Sequence, residues 1–141
     1  MIRSFSLILI AGFLLLNCLP VQSQFVTLAR KIKSKISGTS VESSVVLDAY
    51  TRNVYQAVVD TVSSSAKIRI IKRDDSNRRI EFTDGTATMT MKVDSLDKKS
   101  SRISVTSPVK DETSLKAEQL TVKAIMAVCN KLGIQCTVDG K

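Results

Sequence analysis

Two pairs of adjacent carboxylates come closest to a catalytic centre in this chain. They are Asp74-Asp75 and Asp111-Glu112. Paired carboxylates can supply the acid and the base of glycoside hydrolysis when they face each other across a cleft. The first pair lies in sequence that is typical of a turn, and the second precedes a predicted helix, whose positive end favours acids. The pattern therefore favours structural roles for both pairs.

The chain contains no His, which excludes several kinds of site. Ser-His-Asp and Cys-His catalytic arrangements are ruled out, and so are zinc sites that use His ligands. Only 5 Gly occur in 141 residues, which argues against a Gly-rich phosphate-binding loop. There is no Trp to hold a sugar, and the acids lack the spacing of a calcium-binding loop. We predict that the protein is not an enzyme and uses no metal and no cofactor.

Residues 1–23 are typical of a secretory signal peptide. Arg3 supplies the basic start, and residues 5–16 form an apolar run shorter than the roughly 20 residues that span a bilayer. We place the cleavage site after Ser23; the alternative is an uncleaved anchor helix. The sequence therefore predicts an exported protein, periplasmic or extracellular.

Cys18 adds an alternative for the start of the mature chain. Residues 15–18, Leu-Leu-Asn-Cys, have the outline of a bacterial lipobox, in which the Cys is lipidated. Asn17 departs from the small residue that is usual at its position, so ordinary cleavage is favoured. Anchoring to a membrane through Cys18 stays open, and it would need a second signal because one acyl chain binds only marginally.

Cys129 and Cys136 remain after cleavage as an even pair in an exported chain. Cys129 lies near the end of a predicted helix, and Gly133 can turn the chain back toward it. We predict a disulfide, worth about 2 kcal/mol for so short a loop. The alternatives are two free thiols or a redox pair, although the spacing is not Cys-x-x-Cys.

Residues 24–36 combine an apolar stripe with unopposed positive charge, and we predict a basic amphipathic arm that is helical. Such a helix could lie on an anionic membrane. The alternatives are a helix docked on the folded domain and a disordered arm. The residues assigned to membrane contact are Phe25, Leu28, Arg30, Lys31, Ile32, Lys33, Lys35 and Ile36. Residues 37–44 are polar and predict a flexible linker, so we place a domain boundary after Ser44.

Residues 45–141 are predicted to form a single α+β domain. Helical periodicity predicts helices over 46–63 and 114–132. Alternation predicts strands over 66–73, 78–83, 86–95 and 102–107, followed by an extended tail over 134–138. Because short turns join the strands, we expect a four-stranded antiparallel meander sheet with the two helices packed on one face.

The sheet face turned away from these helices is predicted to be basic and rich in Thr. Its candidate anion-binding residues are Arg69, Arg73, Arg79, Lys92 and Arg102. Such a face suits an anionic membrane surface or an acidic polymer; the alternative is an ordinary solvated face. Nucleic acid is not an expected partner, because the face has no aromatic residues for base stacking and the chain is exported.

The order of helix, four strands and helix resembles that of small uncharacterised bacterial exported domains, lipoprotein or periplasmic. The stretch Ser101-Arg102-Ile103-Ser104-Val105, which leads into the final helix, contributes to the resemblance. It covers about the last 95 residues and implies a fold and a location but no chemistry.

The sequence predicts a non-catalytic exported module, envelope-associated or secreted, with a binding or structural role. The basic arm and the sheet face would contact anionic surfaces. The alternative is a small secreted inhibitor or effector that acts on a protein partner.

Overall fold

The computed structural model describes residues 30–109 and 114–139. In chain order the elements are β1 (Arg30–Ser37), β2 (Ser40–Leu47), α1 (Thr51–Ser64), β3 (Arg69–Asp74), β4 (Arg79–Thr83), β5 (Thr88–Asp97), β6 (Ser100–Pro108), α2 (Ser114–Leu132) and β7 (Cys136–Val138). The strands within these residues form one seven-stranded sheet in the order β3-β4-β5-β6-β2-β1-β7. Neighbouring strands are antiparallel except for β1 and β7, which are parallel.

The α+β class agrees with the sequence prediction, but the four-stranded antiparallel meander is wrong. Strands β3 to β6 do follow one another as a meander, and β2, β1 and β7 then extend the sheet beyond β6. The sheet is mixed because β7 comes from the tail after α2 and lies parallel to β1. Long-range pairing of this kind leaves no local signal in the sequence.

The helix predicted over 24–36 is wrong in its described part, because residues 30–37 form strand β1. Ile32 is fully buried, whereas Ile36, on the same face of the strand and opposite the buried Val41, is 56% exposed. The cations at 31, 33 and 35 alternate with period two, which fits a strand as well as the helical spacing does. Phe25, Leu28, Cys18 and the predicted signal peptide lie outside the described residues.

The flexible linker predicted over 37–44 is also wrong. Gly38, with φ of 51°, lies in the tight turn between β1 and β2, and residues 40–47 form β2. Its alternate residues Val41, Ser43, Val45 and Leu47 are buried. Serines at three of its eight positions hid this strand, because composition alone makes such a segment look like a linker.

The two helices share the core with one face of the sheet. α1 buries Val54, Val58 and Val62, and α2 buries Ile125 and Val128. They pack against the buried sheet residues of the same cluster, which include Ile32, Leu47, Ile80, Phe82, Met91, Val93, Ile103 and Val105. Because the helices cover this face, the other face of the sheet, called the outer face below, presents its side chains to solvent.

Candidate functional site

A row of directly paired residues crosses the outer face from β4 to β1. Arg79 lies opposite Lys92, and Lys92 lies opposite Ser104. Ser104 lies opposite Ser44, which lies opposite Lys33. Directly opposed residues of antiparallel strands point to the same face. Cations of β1, β4 and β5 therefore lie on one surface.

A second row runs beside the first and contains both signs of charge. It comprises Lys72, Glu81, Thr90, Thr106, Glu42 and Lys35, one from each strand between β3 and β1. Each acid lies opposite one cation, Lys72 for Glu81 and Lys35 for Glu42, and has a threonine on its other side. The outer face is therefore a mosaic of charges with an excess of positive ones.

Arg102 lies between two shallow depressions of the outer face. It is opposite Asp94 on β5 and Val46 on β2. One depression, of about 430 Å³, also includes Arg79 and Lys92. The other, of about 500 Å³, lies toward β1 and has Lys31, Lys33 and Arg30 in its lining. Arg102 and Glu42 line both, so the two depressions form a continuous surface.

Some of these charges are paired and others are free. Lys92 Nζ lies 3.1 Å from a carboxylate oxygen of Asp94, and Arg30 pairs with Asp48. Lys33, Arg79 and Arg102 have no acid within 4.0 Å among the described residues. Their charges are therefore available to an anionic ligand.

Arg73 is absent from this face, although alternation predicted it there. The register between β3 and β4 shifts at Ile71, so Arg73 lies opposite the buried Ile80. The bulge turns Lys72 to the outer face in its place. Arg69, opposite Thr83, stays on the outer face at the sheet edge.

The Asp74-Asp75 pair is engaged in structural contacts, and Asp74 also lines a small depression of about 110 Å³ with Arg79 and Glu81. Asp75 accepts hydrogen bonds from Arg73 Nε at 2.7 Å and from the Tyr55 hydroxyl at 2.6 Å, and these donors lower its pKa. Burial, followed by the contact with Asp75, raises the pKa of Tyr55 to about 12. Asp74 accepts from the side chain and backbone of Asn77, which lowers its pKa as well.

The second acidic pair, Asp111-Glu112, lies outside the described residues. Across residues 30–109 and 114–139, no three His, Cys, Asp or Glu side chains come together as a metal-binding group. Neither helix in this part of the chain combines the length and the apolar character that a membrane span requires.

Cys129 of α2 and Cys136 of β7 form a disulfide with their Cα atoms 6.2 Å apart. Gly133, with φ of 70°, turns the chain between them. Cys136 is paired with Arg30 of β1. The bridge therefore ties α2 to the sheet edge that carries Lys31 and Lys33.

Sequence reasoning found Arg79, Lys92 and Arg102 but treated the cations of β1 as a separate arm. The structure brings the two sets together through β2, which the sequence analysis treated as a linker. The available signal was weak: Val41, Val45 and Leu47 lie at alternate positions, but the buried Ser43 and the exposed Val46 break the pattern.

Comparison with known proteins gives no family assignment. No protein-family model matches the chain, and no curated protein matches it. Solved structures to which the chain is similar include the Zhui aromatase/cyclase from Streptomyces sp. R1128, with 14% identity over 66% of this chain and 90% of that chain and a TM-score of 0.44. An NMR structure from Thermobifida fusca has 16% identity over 64% and 85% of the two chains and a TM-score of 0.47. The conserved protein of unknown function EF2215 from Enterococcus faecalis has 8% identity over 72% and 74% and a TM-score of 0.45. Similarity at this level carries no argument about activity.

Proposed function

We propose that the protein is a non-catalytic exported binding module whose outer face binds anionic membrane surfaces. The cross-strand row that places Lys33 on the same face as Arg79 and Lys92 is the observation that supports this function. Export through residues 1–23 is part of the proposal, as is a periplasmic or extracellular location. A lipid on Cys18 would add a second attachment to the same membrane.

The charge of the outer face favours a lipid surface over a single small anion. Its cations are spread over five strands rather than gathered around one point, and Glu42 and Glu81 lie among them. A planar array of headgroups can contact many separated cations at once, each contributing about 1 kcal/mol near an anionic membrane. Three of its unpaired cations, Lys33, Arg79 and Arg102, then contribute about 3 kcal/mol together, or roughly a hundredfold in partitioning.

The test is co-sedimentation with phosphatidylcholine vesicles prepared with and without phosphatidylglycerol. The triple variant Lys33→Gln, Arg79→Gln, Arg102→Gln is expected to bind the anionic vesicles roughly a hundredfold more weakly than the unmodified protein. Binding of the unmodified protein should also fall as salt is raised, because exposed charges are screened. Vesicles of phosphatidylcholine alone should bind neither protein.

A matched control removes the same net charge from the helix side of the molecule. Arg52→Gln, Lys123→Gln and Lys131→Gln change three exposed residues of α1 and α2 and should leave vesicle binding within about threefold. Equal losses in the two triple variants would show that net charge, not the outer face, controls binding. Absence of binding to anionic vesicles, with or without binding to a soluble acidic polymer, would refute the membrane function.

Deletion of residues 24–36 is unsuitable as a test, because it removes most of β1. Ile32 is fully buried in the core, and β1 pairs with both β2 and β7. Loss of binding after such a deletion would therefore report unfolding. Single substitutions at exposed positions such as Lys33 separate charge from stability.

A further inference from the structure

A cleft of about 270 Å³ opens on the helix side of the sheet, where the end of α1 approaches the middle of α2. Its floor is formed by Phe82 and Met89, which are almost completely buried. Its walls include Ile68, Leu120, Ala124 and Ala127. The outer face lies on the other side of the sheet, so the proposed membrane function does not use this cleft.

The cleft exists because small side chains stand where the helices approach the sheet. Ala124 and Ala127 of α2 leave room above Phe82 and Met89, and α1 ends at Ser64 before it can close that side. Apolar lining with a few polar groups at one side is the usual composition of a small-molecule site. Pockets that hold drug-sized ligands have volumes of about 300–1,000 Å³, so this cleft suits a smaller molecule.

The charged side chains at the cleft favour a negatively charged ligand. Lys67 and Lys123 are exposed and have no hydrogen bond or ion pair among the described residues. Asp84 also lines the cleft, but its Oδ1 already accepts from the Thr86 backbone and hydroxyl and from the Ala87 backbone at 2.8–2.9 Å. Asp84 keeps its negative charge within these hydrogen bonds, and the two lysines leave the cleft with one net positive charge.

We propose that this cleft binds a small amphipathic carboxylate. The apolar part lies between the Phe82 and Met89 floor and the Ala124 and Ala127 wall. The carboxylate lies at the mouth with Lys67 and Lys123. This site is independent of the outer face, so either proposal can fail without the other.

The test is a titration of the ¹⁵N-labelled, disulfide-bonded protein with octanoate, octan-1-ol and octylamine, three probes with one tail and different head groups. Octanoate is expected to shift the backbone amides around Phe82, Met89, Ala124 and Ala127. Octan-1-ol should bind about three- to tenfold more weakly, and octylammonium more weakly still, because only the carboxylate gains from two exposed lysines. Octanoate shifts that lie outside the cleft, or no shifts, would overturn the proposal.

Two variants separate the tail from the head group. Ala127→Leu, at an exposed helix position that the fold tolerates, should fill the cleft and weaken octanoate by about tenfold or more. Lys67→Gln with Lys123→Gln should remove the preference for octanoate over octan-1-ol, whereas Lys98→Gln with Lys131→Gln, the control, should keep it. Unchanged octanoate affinity in Ala127→Leu, or an unchanged preference in the first lysine pair, contradicts the assignment.

Discussion

A chain of hydroxyl groups joins α2 to the two strands that the sequence analysis missed. Ser34 Oγ lies 2.7 Å from Ser43 Oγ, which lies 2.6 Å from Thr121 Oγ1. Thr121 donates its only proton to the Glu118 carbonyl at 2.8 Å. Each hydroxyl has one proton, so Ser43 must donate to Thr121 and Ser34 to Ser43. Ser43 and Thr121 are both fully buried.

Replacing Thr121 with Val keeps the shape of the side chain and removes the acceptor of the Ser43 proton. That proton can turn back to Ser34, because Ser34 is exposed and can give its own proton to water. The variant therefore loses two hydrogen bonds, the one from Ser43 and the one to the Glu118 carbonyl, without leaving a fully unsatisfied donor, which costs about 1–2 kcal/mol. For a domain of this size the midpoint of thermal unfolding should fall by about 5–10 °C.

Urea unfolding followed by circular dichroism measures this cost. Thr61→Val is the matched control, because its hydroxyl donates within α1 to the Ala57 carbonyl in a half-buried position. We expect its free energy of unfolding to change by about 0.5 kcal/mol or less. Ser43→Ala combined with Thr121→Val should cost about 1 kcal/mol less than the sum of the single changes, because the two substitutions remove the same Ser43–Thr121 hydrogen bond.

Two results would contradict this expectation. One is a Thr121→Val variant as neutral as Thr61→Val, and the other is additivity of the Ser43 and Thr121 substitutions within the error of the measurement. Either result would mean that the Ser43–Thr121 contact does not stabilise the docking of α2 on β2.

Three further predictions address β1, the disulfide and acid stability. Ile32→Ala should destabilise the fold by about 2–5 kcal/mol, whereas Ile36→Ala, at an exposed position of the same strand, should change it by about 0.5 kcal/mol or less in urea unfolding; similar values would argue against β1 as a core strand. Intact-mass analysis of the mature protein should show a mass two hydrogens below that of the reduced chain, and the mass of the reduced chain would contradict the bridge. Cys129→Ser combined with Cys136→Ser should lower the free energy of unfolding by about 2 kcal/mol. Backbone donors lower the pKa of Asp84 below its unfolded value of about 4. The charged carboxylate therefore stabilises the fold above that pH, and this stabilisation is lost as pH falls through the folded pKa. When unfolding is measured against pH, Asp84→Asn should reduce the loss of stability at acid pH, and an unchanged loss would refute the assignment.

Much of the domain from residue 69 onward could be predicted because its signals are local. The apolar positions of α2 recur with helical spacing, and its bounds, 114–132, agree with the prediction. In β4 to β6, inward residues such as Ile80, Met91 and Ile103 alternate with polar ones, so the buried face could be assigned from the sequence. Pattern and packing agree there because each strand has one solvated face.

The prediction failed where one local sequence pattern is compatible with both a strand and another structure. In β1, cations at every second residue and apolar residues four apart fit both a strand and a helix, and pairing with β2 and β7 decides between them. The polar composition of β2 hid a central strand, because its buried serine is satisfied by a helix 78 residues away. The bulge at Ile71, which exchanges Arg73 for Lys72 on the outer face, likewise depends on the partner strand.

The sequence by itself determined the excess of positive charge, the absence of His and the types of most elements after residue 50. These depend on composition and on contacts close in the chain. Only the tertiary structure decided that the cations of β1 share one face with Arg79 and Arg102, and that a cleft remains between the helices. Both features arise from pairing and packing between distant segments, and the sequence of either segment alone does not encode them.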